Sequence, residues 1–210
     1  MKIEYSSNKF LFIHLPKCGG MSMEHICRNN GILIDPRNAN TKYLNEKFNT
    51  DVYCSFEDQK KLGFSFSFIR NPYDRVVSSW KCPWVSGKKI SKNNFTNQFH
   101  DFRDFVFNFL PNEHDFSFFR WSHVMPFTDP RFAIFDDKQE LQLSFLGKLE
   151  TYQEDFDFVC NSINIKKQKL PHKNKTHHKK YTEYYDKELI NIISEFYAKD
   201  IEYGNYEFGQ

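Results

Sequence analysis

The chain has 210 residues, enough for one domain or two small ones around a real hydrophobic core. Its 29 basic and 27 acidic side chains leave a net charge of +2, too small to argue for general nucleic-acid binding. The cysteines Cys18, Cys27, Cys54, Cys82 and Cys160 form no CxxC pair, which speaks against structural zinc and for free thiols in a reducing compartment. No Gly/Ser/Pro-rich linker and no internal repeat divides the sequence, so residues 1–210 read as a single domain. The start MKIEYSSNK is polar, and the apolar run FLFIHL is far too short to cross a bilayer, so the expectation is a soluble, cytoplasmic protein with no membrane partner. Nothing in the sequence sets an oligomeric state.

The first element in chain order is the apolar run Phe10 to Ile13, which reads as a buried strand, and Met23 to Cys27 fit the opening of a helix. Pro-Lys-Cys-Gly-Gly lies between them. Gly19 and Gly20 let backbone N–H groups crowd around an anion without Cβ interference, and a helix N-terminus adds orphan donors and the positive end of its dipole. Lys17 supplies a point charge and Ser22 a hydroxyl in the first turn, so the segment reads as a phosphate-type anion cradle. A plain tight turn is the bland reading. The nucleotide-triphosphate loop places its Lys after the last Gly, whereas Lys17 precedes both glycines.

A second strand–loop–helix signal covers Phe64 to Trp80. Phe64, Phe66 and Phe68 alternate with Ser65 and Ser67 as in a strand; Asn71 suits an N-cap, Pro72 the first helical position and Asp74 the first turn. Arg70 then stands at the carboxyl end of a strand, and Ser78, nearly two turns beyond the cap, returns to the face of Asn71. An arginine fork with a hydroxyl suits a second phosphate. Taken singly, Arg70 could be a surface ion-pair residue and Ser78 a helix spacer.

The path beyond reads as mostly helical. Phe99, Phe102, Val106, Phe109 and Leu110 recur at helical spacing, as a buried face or as an aromatic platform for an acceptor. Thr151-x-x-Glu154 forms a capping box ahead of the stripe Phe156, Val159, Cys160 and Ile163, and Leu189, Ile192, Ile193 and Phe196 make another stripe in a terminal helix. Strands alternating with helices imply a parallel α/β sheet. Between the last two stripes, Lys166 to Lys180 packs seven lysines and three histidines. It reads as a solvated loop or, given the turn formers Pro171, Asn174 and Thr176, as a lid. His177 and His178 have no partner ligands at a recognisable metal-site spacing.

HLPKCGGMS resembles the 5′-phosphosulfate loop, and IRNPYDRVVSSW the 3′-phosphate motif, of the sulfotransferases that use 3′-phosphoadenosine-5′-phosphosulfate (PAPS), nearest the carbohydrate sulfotransferases related to the heparan and chondroitin enzymes. WSHVMPF, FLGKLETYQEDFDFVC and the stretch from LPHKNKT to the terminal YEF are similar to later segments of that branch, so the likeness runs from about Phe10 to Phe208. The resemblance implies a P-loop-like three-layer α/β fold with a central parallel sheet flanked by helices. It implies PAPS as sulfuryl donor, adenosine 3′,5′-bisphosphate as product, no metal, and a glycan or other hydroxylated acceptor. Lys17, Cys18, Gly19, Gly20, Met21 and Ser22 would hold the 5′ side, with Lys17 acting on the leaving oxygen. Arg70 and Ser78 would anchor the 3′-phosphate, with Lys173 and Lys175 contributing from a lid that folds over the nucleotide. Cys18 stands where the family often has Thr; it reads as a neutral loop residue or, with a thiol made acidic by the helix dipole and Lys17, as a redox switch.

Relatives usually carry a His or Glu base between the two phosphate motifs, and this chain has no His in Asp51 to Asp58. His123, in the acceptor-side segment, ranks first by intrinsic pKa, then Asp51, then Glu57; Glu46 is a further carboxylate, and His25 falls about two turns along its helix. Capping and packing are the bland roles for these residues. Two other classes compete with the enzyme reading: an ATP- or GTP-dependent phosphotransferase on a related core, and a non-catalytic module that binds polyanions.

Overall fold

In the computed structural model, residues 9–36, 61–171 and 179–210 are described, apart from positions 93, 133 and 137. The elements in order are β1 (Phe10–His14), α1 (Gly20–Asn29), β2 (Leu33–Pro36), β3 (Phe64–Ile69), α2 (Pro72–Trp80), α3 (Pro83–Ser86), β4 (Gly87–Ser91), β5 (Asn94–Asn97), α4 (Phe102–Phe109), α5 (Phe118–Trp121), β6 (Phe145–Lys148), α6 (Tyr152–Ser162), α7 (Lys187–Phe196) and α8 (Ala198–Gly204). They fall into two compact units, residues 1–70 with 127–174 and residues 71–126 with 175–210.

The first unit holds a parallel sheet of order β2-β1-β3-β6, in which Phe12 pairs with Ile34 on one side and Phe66 on the other. The expected central parallel sheet flanked by helices is therefore present. Phe12, Ile34, Phe66 and Phe68 turn to one face, where they pack with Met23, Ile26 and Cys27 of α1, with Phe156, Val159 and Cys160 of α6, and with Ile163 just beyond it. Leu11, Ile13, Ser65 and Ser67 on the opposite face are buried too, as parallel strands require. The serines of β3 are thus not a solvent-facing set. Ser67 donates its hydroxyl to the Ile13 carbonyl at 2.7 Å, and Ser65 Oγ accepts from the Ser144 amide.

The order of the strands reverses around β1, because α1 leads to β2 on one side while β3 lies on the other. The carboxyl ends of β1 and β3 therefore flank a topological switch point, the place where open α/β sheets leave a crevice for ligands.

In the second unit α2 begins as the sequence predicts: Asn71 Oδ1 accepts the Tyr73 amide at 3.1 Å and Pro72 fills the first position. Residues just before and just after the terminal helices fix this start. The Asn71 side-chain amide donates to the Glu207 carbonyl at 3.0 Å, and the Tyr185 hydroxyl to the Tyr73 carbonyl at 2.7 Å. Phe99, Phe102, Phe105, Val106, Phe109 and Leu110 are buried, with Phe105 and Phe109 stacked at 4.8 Å. This settles that stripe as core rather than an acceptor platform.

Two local expectations need correction. Thr151 makes no side-chain capping bond at the start of α6, so the capping box is not formed; its hydroxyl donates to Asp155 Oδ2 at 2.7 Å, and the same oxygen accepts the Lys148 amide. Asp155, one residue beyond the expected glutamate, captures both donors because it sits over the turn joining β6 to α6. The stretch after α2 also contains the antiparallel hairpin β4–β5. No described helix is long and apolar enough to cross a membrane.

Candidate functional site

The loop between β1 and α1 is built on two residues with left-handed backbone. Lys17 has φ of 67° and Gly19, the N-cap of α1, has φ of 81°. The helix starts at Gly20, earlier than the sequence predicts, because Ser22 and Met23 direct their amides back to the Gly19 carbonyl at 3.0 and 3.4 Å. The amides of Gly20 and Met21 open the helix and have no preceding turn to bond. They sit where the helix dipole is positive.

Arg70 leaves β3 beside this loop, and its Nη1 donates to the Lys17 carbonyl at 3.2 Å. The bond places the guanidinium against the lysine-bearing turn, so two cationic residues converge at the switch point. Lys17, Cys18, Gly19, Gly20, Met21, Ser22 and Arg70 thus come together in the first unit. Ser78 and His123 belong to the second unit, where both are buried. Asp51, Glu57, Glu46, Lys173, Lys175, His177 and His178 lie outside the described residues.

Not every residue of the loop points to an anion. Cys18 is 1 % exposed, so its thiol is sequestered from oxidants and the neutral-residue reading fits better than the switch. Cys18, Cys27, Cys82 and Cys160 are all free, and burial pushes the Cys27 thiol well up. The Ser22 hydroxyl donates to the Pro171 carbonyl at 2.7 Å, tying the basic stretch to α1 at that residue. Met21 is exposed beside it. His25 is exposed on α1. Among the described residues no cluster of His, Cys, Asp or Glu side chains is arranged to hold a metal ion.

Three residues that the sequence leaves without a role shape the loop. The first two are His14, the last residue of β1, and Glu24 of α1; they meet at 2.6 Å through Nδ1 and Oε1. Burial pushes the Glu24 carboxyl up, but the hydrogen bond and charge of His14, with Arg28 at 3.7 Å, outweigh it and hold the carboxyl below its usual range. The stabilisation from that shift is present above the usual carboxylate range and fades as acid protonates the group. Held this way, the imidazole lies flat against Gly20: a Cβ there would fall 1.9 Å from His14 Nε2.

The third is Tyr152, at the start of α6, whose hydroxyl donates to the Gly19 carbonyl at 2.9 Å; burial raises its pKa far above the usual value. Because the Ser22 amide also bonds that carbonyl, Tyr152→Phe leaves the acceptor satisfied, and thermal unfolding should register a loss of only about 1 kcal/mol. A loss several times larger would show that the tyrosine holds the turn together. No local pattern connects His14 with Glu24 or Gly19 with Tyr152, since the partners lie 10 and 133 positions apart.

In the second unit His123 is 8 % exposed and follows α5. Its Nδ1 lies 2.7 Å from the Phe119 carbonyl, which can only accept, so Nδ1 carries a proton. Ser78 sits on α2, directly before Ser79, whose hydroxyl donates to the His123 carbonyl at 2.8 Å.

A glycine turn at the switch point has a lysine before its glycines and an arginine at the end of the neighbouring strand. The family model described as "Sulfotransferase family" matches residues 5–207, spanning both motifs and both units. No curated protein matches the chain. With nearly its whole length covered by that model, the chain belongs to the sulfotransferase family.

Proposed function

We propose that the protein transfers a sulfuryl group from PAPS to a hydroxyl of a carbohydrate or related acceptor. One observation carries this reading: the convergence of Lys17, Arg70 and the unbonded first-turn amides of α1 at the switch point of the parallel sheet. That donor set is cationic and rich in N–H groups, which suits a phosphosulfate. When bound, PAPS supplies a sulfur centre, whose bond to the acceptor oxygen forms as its bond to the bridging phosphate oxygen breaks.

The residues of the chain supply positioning and charge stabilisation, as in the related phosphoryl transfers. Lys17 neutralises charge on the departing bridging oxygen. The amides of Gly20 and Met21 hold the 5′ side, and Cys18, Gly19 and Ser22 shape the turn around it. Arg70 and Ser78 anchor the 3′-phosphate, an assignment that rests on the motif from Arg70 to Trp80. Lys173 and Lys175 contribute from the basic stretch, which Ser22 ties to α1 at Pro171. His123 takes the proton of the acceptor hydroxyl, ahead of Asp51 and Glu57 as alternatives. The free thiols support a reducing, cytoplasmic setting. The family match runs through both units, and the chain passes between them at 70/71, 126/127 and 174/175, which supports one functional domain over 1–210.

Calorimetry with adenosine 3′,5′-bisphosphate, AMP and magnesium-ATP tests the donor assignment. The bisphosphate should bind at least tenfold more tightly than AMP, and Arg70→Ala should cost a few kcal/mol with the bisphosphate and much less with AMP. Equal affinity for the two would remove Arg70 from the 3′-phosphate, and preference for magnesium-ATP would replace the donor.

A further inference from the structure

The two ring nitrogens of His14 differ in their surroundings. Nδ1 meets Glu24 Oε1 at 2.6 Å. The Glu24 carboxyl is held below its usual range, so near neutral pH it is ionised and can only accept. Nδ1 therefore carries a proton whether the ring is neutral or cationic. Nε2 has no hydrogen-bond or ionic partner among the described residues, although His14 is only 8 % exposed. Filling the space beneath α1 needs no such nitrogen, since Phe12, two residues earlier in β1, packs there with a plain ring. A nearly buried polar atom left without a partner is costly, and the cost is lifted when a ligand supplies one.

Nε2 is aimed at the start of α1. A Cβ on Gly20 would fall 1.9 Å from it, which places Nε2 within about 4.4 Å of the Gly20 nitrogen. Two nitrogens that close can share one anion oxygen at hydrogen-bond distance from both. The Gly20 amide is the first of a helix of 10 residues, where the dipole favours an anion. The charged and titratable groups around the ring come from every neighbouring element. Glu24 lies on α1 with Arg28 at 3.7 Å from its other oxygen, and Lys17 and Cys18 lie in the turn, with Arg70 on the Lys17 carbonyl. Cys27 of α1 and Tyr152 of α6 both have their pKa raised by burial and stay protonated, and the buried Asp35 of β2 precedes Pro36, the register partner of His14.

We propose that His14 is a ligand of the donor's 5′ anion: Nε2 takes a proton from solvent as the anion binds and donates it to an anion oxygen, while the Glu24 carboxylate holds the resulting imidazolium from behind. The proposal rests on the reading of the turn between β1 and α1 as the 5′-phosphosulfate site, and it makes donor capture a proton-linked step. One proton moves from water to Nε2 and stays there while the anion is bound; no covalent bond of the ligand changes. The bound form keeps this proton to higher pH than the free form, so the added affinity is present on the acid side and fades as pH rises. Glu24, held low, remains ionised through that window.

The experiment is titration calorimetry of the full chain with adenosine 3′,5′-bisphosphate, adenosine 5′-phosphate and adenosine 3′-phosphate. It is run from about pH 6 to about pH 8.5, the range in which histidine changes charge, in paired buffers of different ionisation enthalpy so that bound protons are counted. Proton uptake should accompany both ligands that carry a 5′ group and be absent with the 3′-phosphate alone. His14→Gln should bind the bisphosphate about tenfold more weakly than wild type near pH 6, with the gap narrowing as pH rises. The phosphates of the ligand titrate alike in both proteins and cancel from that difference. A gap that is absent or constant across the range overturns the proposal, as does equal uptake with the 3′-phosphate. Should His14→Gln fail to fold, Glu24→Gln keeps an acceptor for Nδ1–H and removes its charge; proton uptake should then fall, and unchanged uptake overturns the proposal. Failure of the donor reading registers separately. Binding of the bisphosphate without proton uptake overturns the role of His14 alone, whereas no binding of any of the three nucleotides overturns the donor site and this role with it.

Discussion

Lys17→Gly should lower turnover by about 10² to 10³-fold while leaving the melting temperature unchanged or slightly raised. The size follows from removing one preorganised charge from the position where negative charge develops. The stability side follows from the backbone. Lys17 sits at φ of 67°, a conformation that costs a side-chain-bearing residue strain and glycine none. The Arg70 contact survives, because it is made to the main-chain carbonyl of residue 17 and not to its side chain. Lys17→Ala removes the same ammonium but keeps the strain, so the two variants should match in turnover and differ in melting temperature. Thermal unfolding and steady-state turnover with PAPS check both halves. Wild-type turnover in either variant removes Lys17 from the chemistry.

Gly20→Ala should cost stability and donor affinity together. Its Cβ would fall 1.9 Å from His14 Nε2 and 2.0 Å from Cδ2, well inside contact distance. The ring has little room to retreat: Nδ1 is bonded to Glu24 at 2.6 Å, Phe12 stacks on it at 6.0 Å, and it is 8 % exposed. Overpacking of this kind costs about 1–3 kcal/mol or more, and here it falls on the first amide of α1. Bisphosphate affinity should drop at least tenfold along with stability. The double variant Gly20→Ala with His14→Ala opens the space, and a double-mutant cycle should recover at least half of the lost stability. No recovery would mean that the clash is relieved elsewhere and that His14 does not set the shape of the loop.

These effects divide between what is readable along the chain and what is not. β1 and β3 are legible because each is a buried run leading directly into its motif, and the cap of α2 because Asn71 and Pro72 satisfy the helix start locally. β2 and β6 escape detection: LIDP and FLGK are four residues each, too short to show a period and interrupted by Pro or Gly. The hairpin GKKIS–NFTN is polar and mostly exposed, so it carries no apolar alternation. Ser65 and Ser67 keep their period of two, yet both faces are buried: the Ser67 hydroxyl donates to the Ile13 carbonyl of β1, and Ser65 Oγ accepts the Ser144 amide, in place of solvent.

The sequence by itself determined the build of the loop between β1 and α1: a lysine, two glycines and a helix start have local requirements that neighbouring residues meet. It also determined the order of the motifs, and with it the family. Only the tertiary structure decided which groups surround them. His14 against Gly20, Tyr152 on the Gly19 carbonyl, Arg70 on the Lys17 carbonyl and the grip of Arg75, Ser79 and Tyr197 on residues 122–125 all join positions from different elements. Such partners are set by which strands lie side by side and which buried carbonyls still need a donor. That accounting closes only once the chain is folded, because the cost of an unpaired buried carbonyl arises only when water has been excluded from it.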